Sequence, residues 1–159
     1  MPRLSARGGS HCYRRVAVTY TVAREHGPAT GPTLSSPEAA AALARELLAA
    51  HDDDKEHFWV VFLNAQNGYT GHHLVSTGSL SASIVHPREV LGPALREGAA
   101  HLILIHNHPS GEPTPSKEDV QLTRQLVEGA RLLGIRLHEH VVIGNGTGRW
   151  VSLAQRGLL

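Results

Sequence analysis

Cysteine is nearly absent: Cys12 is the only one in a chain of 159 residues. An intrachain disulfide is therefore excluded, and the pattern fits a reducing compartment. Aromatic residues are scarce at 4%, so Leu, Val, Ile and Ala must fill the core. Net charge is nearly absent too. A formal +1 at pH 7 is too small to argue for a nucleic-acid or membrane surface. No apolar run approaches the length of a membrane span. The opening "MPRLSARGGSHCYRR" has no apolar segment and does not read as a signal peptide. Together these absences predict a cytoplasmic protein with no membrane partner. What remains is one ordinary domain, long enough to bury a core without staples.

Along the chain, residues 1 to 11 read as disordered. "YRRVAVTYTVAR" alternates and reads as a strand, and "EHGPATGPTLSSP" as a linker. Ser36 then caps a helix with Pro37 in its first turn and "EAAAALARELLAA" as its body. "HDDDKE" is a polar connection, "HFWVVFLNAQ" a buried strand, and "HHLVSTGSLS" a weaker strand after a turn at Asn67-Gly68. "HPREVLGPALREGA" predicts a helix from Pro87 with Val90, Leu91, Ala94 and Leu95 inward, and Pro93 should kink or interrupt it. "AAHLILIH" is a central strand, "SKEDVQLTRQLVEGARLLG" a helix ending at Gly134, and "IRLHEHVVIG" a further strand before the closing "GRWVSLAQRGLL". Strands and helices alternate, without repeats. The fold class is α/β, with helices packed on a central sheet.

The chemistry gathers in "HNHPSGEPTPSKEDV", residues 106 to 120. In an extended segment His106 and His108 point to one side, and Pro109 holds His108 extended. The stretch "PSGEPTP" forms a turn-rich loop that returns the next helix to the strand end. On that helix Asp119 shares a face with Leu122, Leu126, Ala130 and Leu133, so it points inward. A buried carboxylate requires a partner. Two imidazoles and one inward carboxylate make a zinc site with its fourth position open, which is the catalytic arrangement.

Plainer readings exist. Ser116 and Asp119 also fit a helix-capping box with Asp in the Glu position, although that leaves His106 and His108 unexplained. The string "HNH" is not the dispersed nuclease motif of that name. A zinc deaminase would need P-C-x-x-C, which a single cysteine excludes. Water activated at zinc also needs a base. Glu56, directly before "HFWVVFLN", is one candidate and Glu139, between His138 and His140, is another. Asp52, Asp53 and Asp54 read as a solvated turn.

H-x-H, seven residues, then S-x-x-D, with a glutamate some fifty residues upstream, resembles the JAMM (MPN+) metalloprotease motif. "VHPREV", "HNHPSGEPTPSKED", "LHEHVVIG" and the "GLL" end resemble more closely the RadC-like JAB domain of that superfamily, over roughly residues 35 to 159. Residues 1 to 34 are then an N-terminal strand and linker, partly disordered. The resemblance implies a mixed sheet flanked by helices, of the cytidine-deaminase-like JAB/MPN kind. It implies His106, His108 and Asp119 as zinc ligands, Glu56 as the base, and Ser116 as the group that steadies the oxyanion. Two departures stand out. Full-length RadC proteins carry a helix-hairpin-helix region for DNA, where this chain has a strand and linker. Glu139 stands where the family usually has aspartate before the histidine, and His140 reads as a group behind the site, as a substrate group or as a buried structural residue.

Three functions follow. The first is a zinc-dependent hydrolase of peptide or isopeptide bonds, with a protein substrate such as a ubiquitin-like tail. The second is a RadC-type DNA-repair factor or nuclease. The third is a metal-stabilised interaction domain without turnover. Near-neutral charge weighs against DNA, and a complete set of catalytic residues weighs against the third.

Overall fold

The computed structural model describes residues 31–78 and 85–159. The strand expected over residues 13 to 24, the disorder expected before it, Cys12 and most of the linker lie outside them. The linker's last residues do not behave as a free tether. Leu34 is buried in the core, its N–H donates to the Asn67 carbonyl at 2.9 Å, and Thr33 bridges to Gly68. Gly and Pro exclude regular structure there, but they do not exclude attachment.

Helix α1 (Pro37–Leu48) begins as expected, with the Ser36 hydroxyl accepting from the Ala39 N–H at 3.2 Å. Strand β1 (Glu56–Leu63) follows, then β2 (Tyr69–Gly78) beyond a turn at Asn67, whose φ is 59°. Helix α2 (Pro87–Arg96) runs through Pro93 without interruption, so of the expected kink or interruption the interruption does not occur. In so short a helix the proline removes only its own bond to the Glu89 carbonyl, and its ring is buried. Leu95 is 52% exposed rather than inward, because Val90, Leu91, Pro93 and Ala94 already fill the face.

Strand β3 (His101–His108), helix α3 (Lys117–Leu132), strand β4 (Arg136–Gly144) and the short β5 (Trp150–Ser152) complete the chain. The helix α3 stripe buries Asp119, Leu122, Leu126 and Ala130 as predicted. Leu133 is 45% exposed, because the helix closes at Leu132 and Gly134 turns the chain away with φ 72°.

The sheet order is β2-β1-β3-β4-β5, with β3 and β4 parallel and the other neighbours antiparallel. Side-chain alternation sorts β1 and β3 cleanly. Phe58, Val60, Phe62, Leu102 and Leu104 face α2 and α3, while Trp59, Val61, Leu63, Ile103 and Ile105 face α1. Helices therefore cover both faces, and each face buries its own apolar cluster. A register shift between β3 and β4 leaves out His138: Leu102 pairs with Leu137, and Ile103 with Glu139. This bulge rephases the strand. Glu139 turns to the α1 face, and His140, opposite Leu104, turns to the α3 face.

Candidate metal centre

The end of β3 supplies two imidazoles. His106 and His108 share a face across the pleat, with Nε2 atoms 3.1 Å apart. The Phe58 ring stacks on His106 at a centroid distance of 5.9 Å and fixes its plane. The loop after Pro109 ends at Ser116, the N-cap of α3. The capping box is complete: Ser116 Oγ accepts from the Asp119 N–H at 3.1 Å, and the Ser116 N–H donates to Asp119 Oδ2 at 2.7 Å. The plain reading of this pair therefore holds, and the same cap leaves Asp119 free to turn its carboxylate toward the histidines. Capping puts Asp119 in the first turn of α3 with its carboxylate toward the histidines. Oδ1 lies 3.4 Å from His106 Nε2 and Oδ2 lies 3.6 Å from His108 Nε2. The positive end of the helix dipole favours an anion there.

The donor set fits a cation. One atom from each of His106, His108 and Asp119 falls within 4.8 Å of the others. His108 Nδ1 stands 2.7 Å from the Glu112 carbonyl, which can only accept, so Nδ1 carries the proton and Nε2 offers a lone pair. His106, His108 and Asp119 can thus hold a metal ion, and two imidazole nitrogens with one carboxylate oxygen is a donor set that suits zinc.

Electrostatics show the same demand for positive charge. Asp119 raises the pKa of His108 by hydrogen bonding, against the opposing effect of burial, and the charge of Glu56 adds to the rise. Burial alone would push the Asp119 carboxyl up, but His106, His108 and the Ser116 hydroxyl hold it well below the carboxylate range.

The two candidate bases part company. Phe58 pairs antiparallel with His106, and Glu56, two residues earlier on β1, falls on the same face by alternation, near enough for its charge to act on His108. Glu139 is on the other face. Its carboxylate accepts from the Ser152 hydroxyl at 2.6 Å and from the His140 and Ala154 N–H groups at 2.7 and 3.2 Å. It ties β4 to the chain end, away from the histidines. Asp52, Asp53 and Asp54 are exposed, as expected of a turn.

Sequence reasoning missed Asn107. Between the two histidines it points to the opposite face, fully buried. Its side chain accepts from the His57 N–H at 2.7 Å and donates to the Lys55 carbonyl at 2.8 Å. It therefore grips the backbone on both sides of Glu56. The available signal was its place in the alternation: a polar side chain inside a buried strand must find backbone partners. Thr123, discussed below, was also not assigned a role, and His140 was left between a role at the site and a structural one.

A three-layer domain whose central strand ends in His-x-His, with an aspartate on the following helix, has the architecture of JAB/MPN domains. The RadC-like JAB domain family matches residues 34–158, and the chain belongs to it. A UPF0758 protein of Caldanaerobacter subterraneus is 52% identical over 103 residues, covering 65% of this chain and 43% of the relative. One from Desulfitobacterium hafniense is 45% identical over 132 residues, covering 83% and 56%. One from Methanosarcina mazei is 49% identical over 108 residues, covering 68% and 46%. The chain spans about half the length of the curated relatives it matches. Among the described residues no helix is long and apolar enough to cross a membrane.

Proposed function

We propose that this domain is a zinc-dependent hydrolase of amide bonds, acting on a peptide or an isopeptide-linked protein tail in the cytoplasm. The observation that carries this reading is the convergence of three lone-pair donors, from the end of β3 and the start of α3, with the Glu56 carboxylate on the same face at the start of β1. When bound, zinc lowers the pKa of a coordinated water and polarises the scissile carbonyl. Glu56 takes the proton from the attacking water and returns it to the leaving amine. The Ser116 hydroxyl lies 2.7 Å from Asp119 Oδ2 at the mouth of the site, and turning its proton outward gives a donor for the tetrahedral oxyanion. A groove of about 540 Å³ begins at Pro115 and Ser116 and follows Gln121, Arg124 and Glu128 along α3. Its surface is mostly apolar, with the polar ends of Gln121, Arg124 and Glu128 placed to contact an extended peptide.

Elemental analysis tests the metal directly. The expected result is about one zinc per chain, lost on replacing His106, His108 or Asp119 by alanine. Full metal content in all of these variants would overturn the site. A panel of peptide and isopeptide substrates with the zinc-loaded protein then tests the chemistry.

A further inference from the structure

Behind the ligands runs a chain of buried hydrogen bonds that the proposed chemistry does not itself use. Thr123 Oγ1 lies 2.6 Å from the Asp119 main-chain carbonyl and 2.6 Å from His140 Nδ1. His140 Nε2 lies 2.7 Å from His106 Nδ1. Thr123, His140 and His106 are all fully buried, so no solvent competes for these bonds.

Proton counting assigns each link. A carbonyl oxygen only accepts, so the single hydroxyl proton of Thr123 goes to Asp119. The hydroxyl oxygen can then only accept from His140, which puts a proton on Nδ1. An imidazolium here would be a buried charge facing a hydroxyl and another imidazole, so His140 is neutral and its Nε2 is a bare acceptor. His106 must donate from Nδ1, and its one remaining lone pair is on Nε2, the atom facing His108 and Asp119.

We propose that Thr123 and His140 are positioning residues that lock His106 in the tautomer able to bind metal through Nε2. This rests on the reading of His106 as a ligand. The lock matters because the other arrangement is also self-consistent. If His140 carried its proton on Nε2, it would donate to His106 Nδ1, and His106 Nε2–H would point its proton at the metal position. The Thr123 hydroxyl decides between the two. It does so from the helix that carries Asp119, because back-bonding to the carbonyl four residues earlier is a common habit of helical threonine. The ligand aspartate's own backbone thus sets the tautomer of the ligand histidine, through one hydroxyl and one ring. The β-bulge at His138 is what turns His140 to this face.

The test combines long-range proton–nitrogen NMR of the histidine rings with zinc affinity measured against a competing chelator. In the metal-free wild type, His140 should be neutral with Nδ1 protonated and Nε2 bare, and His106 should be protonated at Nδ1. Thr123→Val keeps the shape and removes the acceptor. It should shift the His140 proton to Nε2 and weaken zinc binding by about 10- to 100-fold, the usual range for groups behind a metal ligand. Thr123→Ser should restore both signals. A wild-type spectrum with His140 protonated at Nε2 overturns the proposal, even where the valine variant fails to fold. So does a folded Thr123→Val that binds zinc within twofold of wild type. A wild type that binds no zinc overturns the metal reading instead, while the ring spectra still decide the tautomers.

Discussion

Glu56 and Asp119 are both carboxylates beside the same imidazoles, yet their replacement by the amide should have opposite signatures. Glu56→Gln should leave zinc content and melting temperature unchanged while turnover falls by roughly two to four orders of magnitude, the usual cost of losing a general base. Asp119→Asn should lose zinc and melting temperature together, since it removes an anionic ligand. Metal analysis, thermal melts and turnover on the same three proteins distinguish the two roles. An active, zinc-loaded Glu56→Gln would mean that the base lies elsewhere, though not at Glu139, which is committed to Ser152 and Ala154. The pH dependence belongs to the same residues. The folded pKa of His108 is raised, so the stability it lends the metal-free protein is fully present below the ordinary histidine value of about 6.5. That contribution fades as pH rises through the raised value. Zinc must displace this proton. Its affinity should therefore climb by about tenfold per pH unit below the folded pKa and level off above it, as a chelator titration across pH 5 to 9 would show. A flat profile would mean that His108 is not a ligand.

Between the elements, the loop from Pro109 to Pro115 depends on its contact with the turn after β4. The Gly111 carbonyl accepts from Arg149 Nη2 at 3.0 Å and from the Thr147 hydroxyl at 3.2 Å, and Arg149 also pairs with Glu112 at 3.0 Å. Gly111 adopts φ 79°, and a Cβ on Gly144 would overlap its carbonyl oxygen. Gly144→Ala should therefore cost about 1–3 kcal/mol, as overpacking does. It should also weaken zinc binding, because the displaced loop carries the Glu112 carbonyl that orients His108. Thermal melts and chelator competition would show the two losses together; an unchanged zinc affinity would detach the loop from the site. Much at this scale was legible in the sequence. Ser36 and Ser116 announced their helices through capping, and the unbroken apolar runs of β1 and β3 announced strands covered on both faces. His106, His108 and Asp119 could be brought together from pleat and helix periodicity alone. What was not legible depended on partners remote in sequence. The bulge at His138 arises only on pairing with β3, so nothing in "LHEHV" told which of Glu139 and His140 would face the ligands. Pro93 was misjudged because its cost was weighed without the apolar pocket that receives its ring. Asn107 was overlooked because its partners are the backbone of Lys55 and His57.

For the molecule as a whole, the near-zero charge sets an expectation about nucleic acid. A formal +1 gives few phosphate contacts, and those supply most non-specific affinity. Binding of this chain to duplex and single-stranded DNA should be weak and should vanish steeply with salt. Submicromolar binding at physiological salt would favour a role on DNA over amide hydrolysis. The layered architecture also has a bearing on biosynthesis. The parallel partner of β3 is β4, which is joined to it only through the whole of α3. On the ribosome, β1 with Glu56 emerges before His106, His108 and Asp119, and His140 follows them. A nascent chain thus displays the proposed ligands, two of them on a strand with an unpaired edge, before the residue behind them has been made. An ion captured at that stage would meet His106 without its partner His140, so the proposed tautomer lock can act only once β4 has been made and paired.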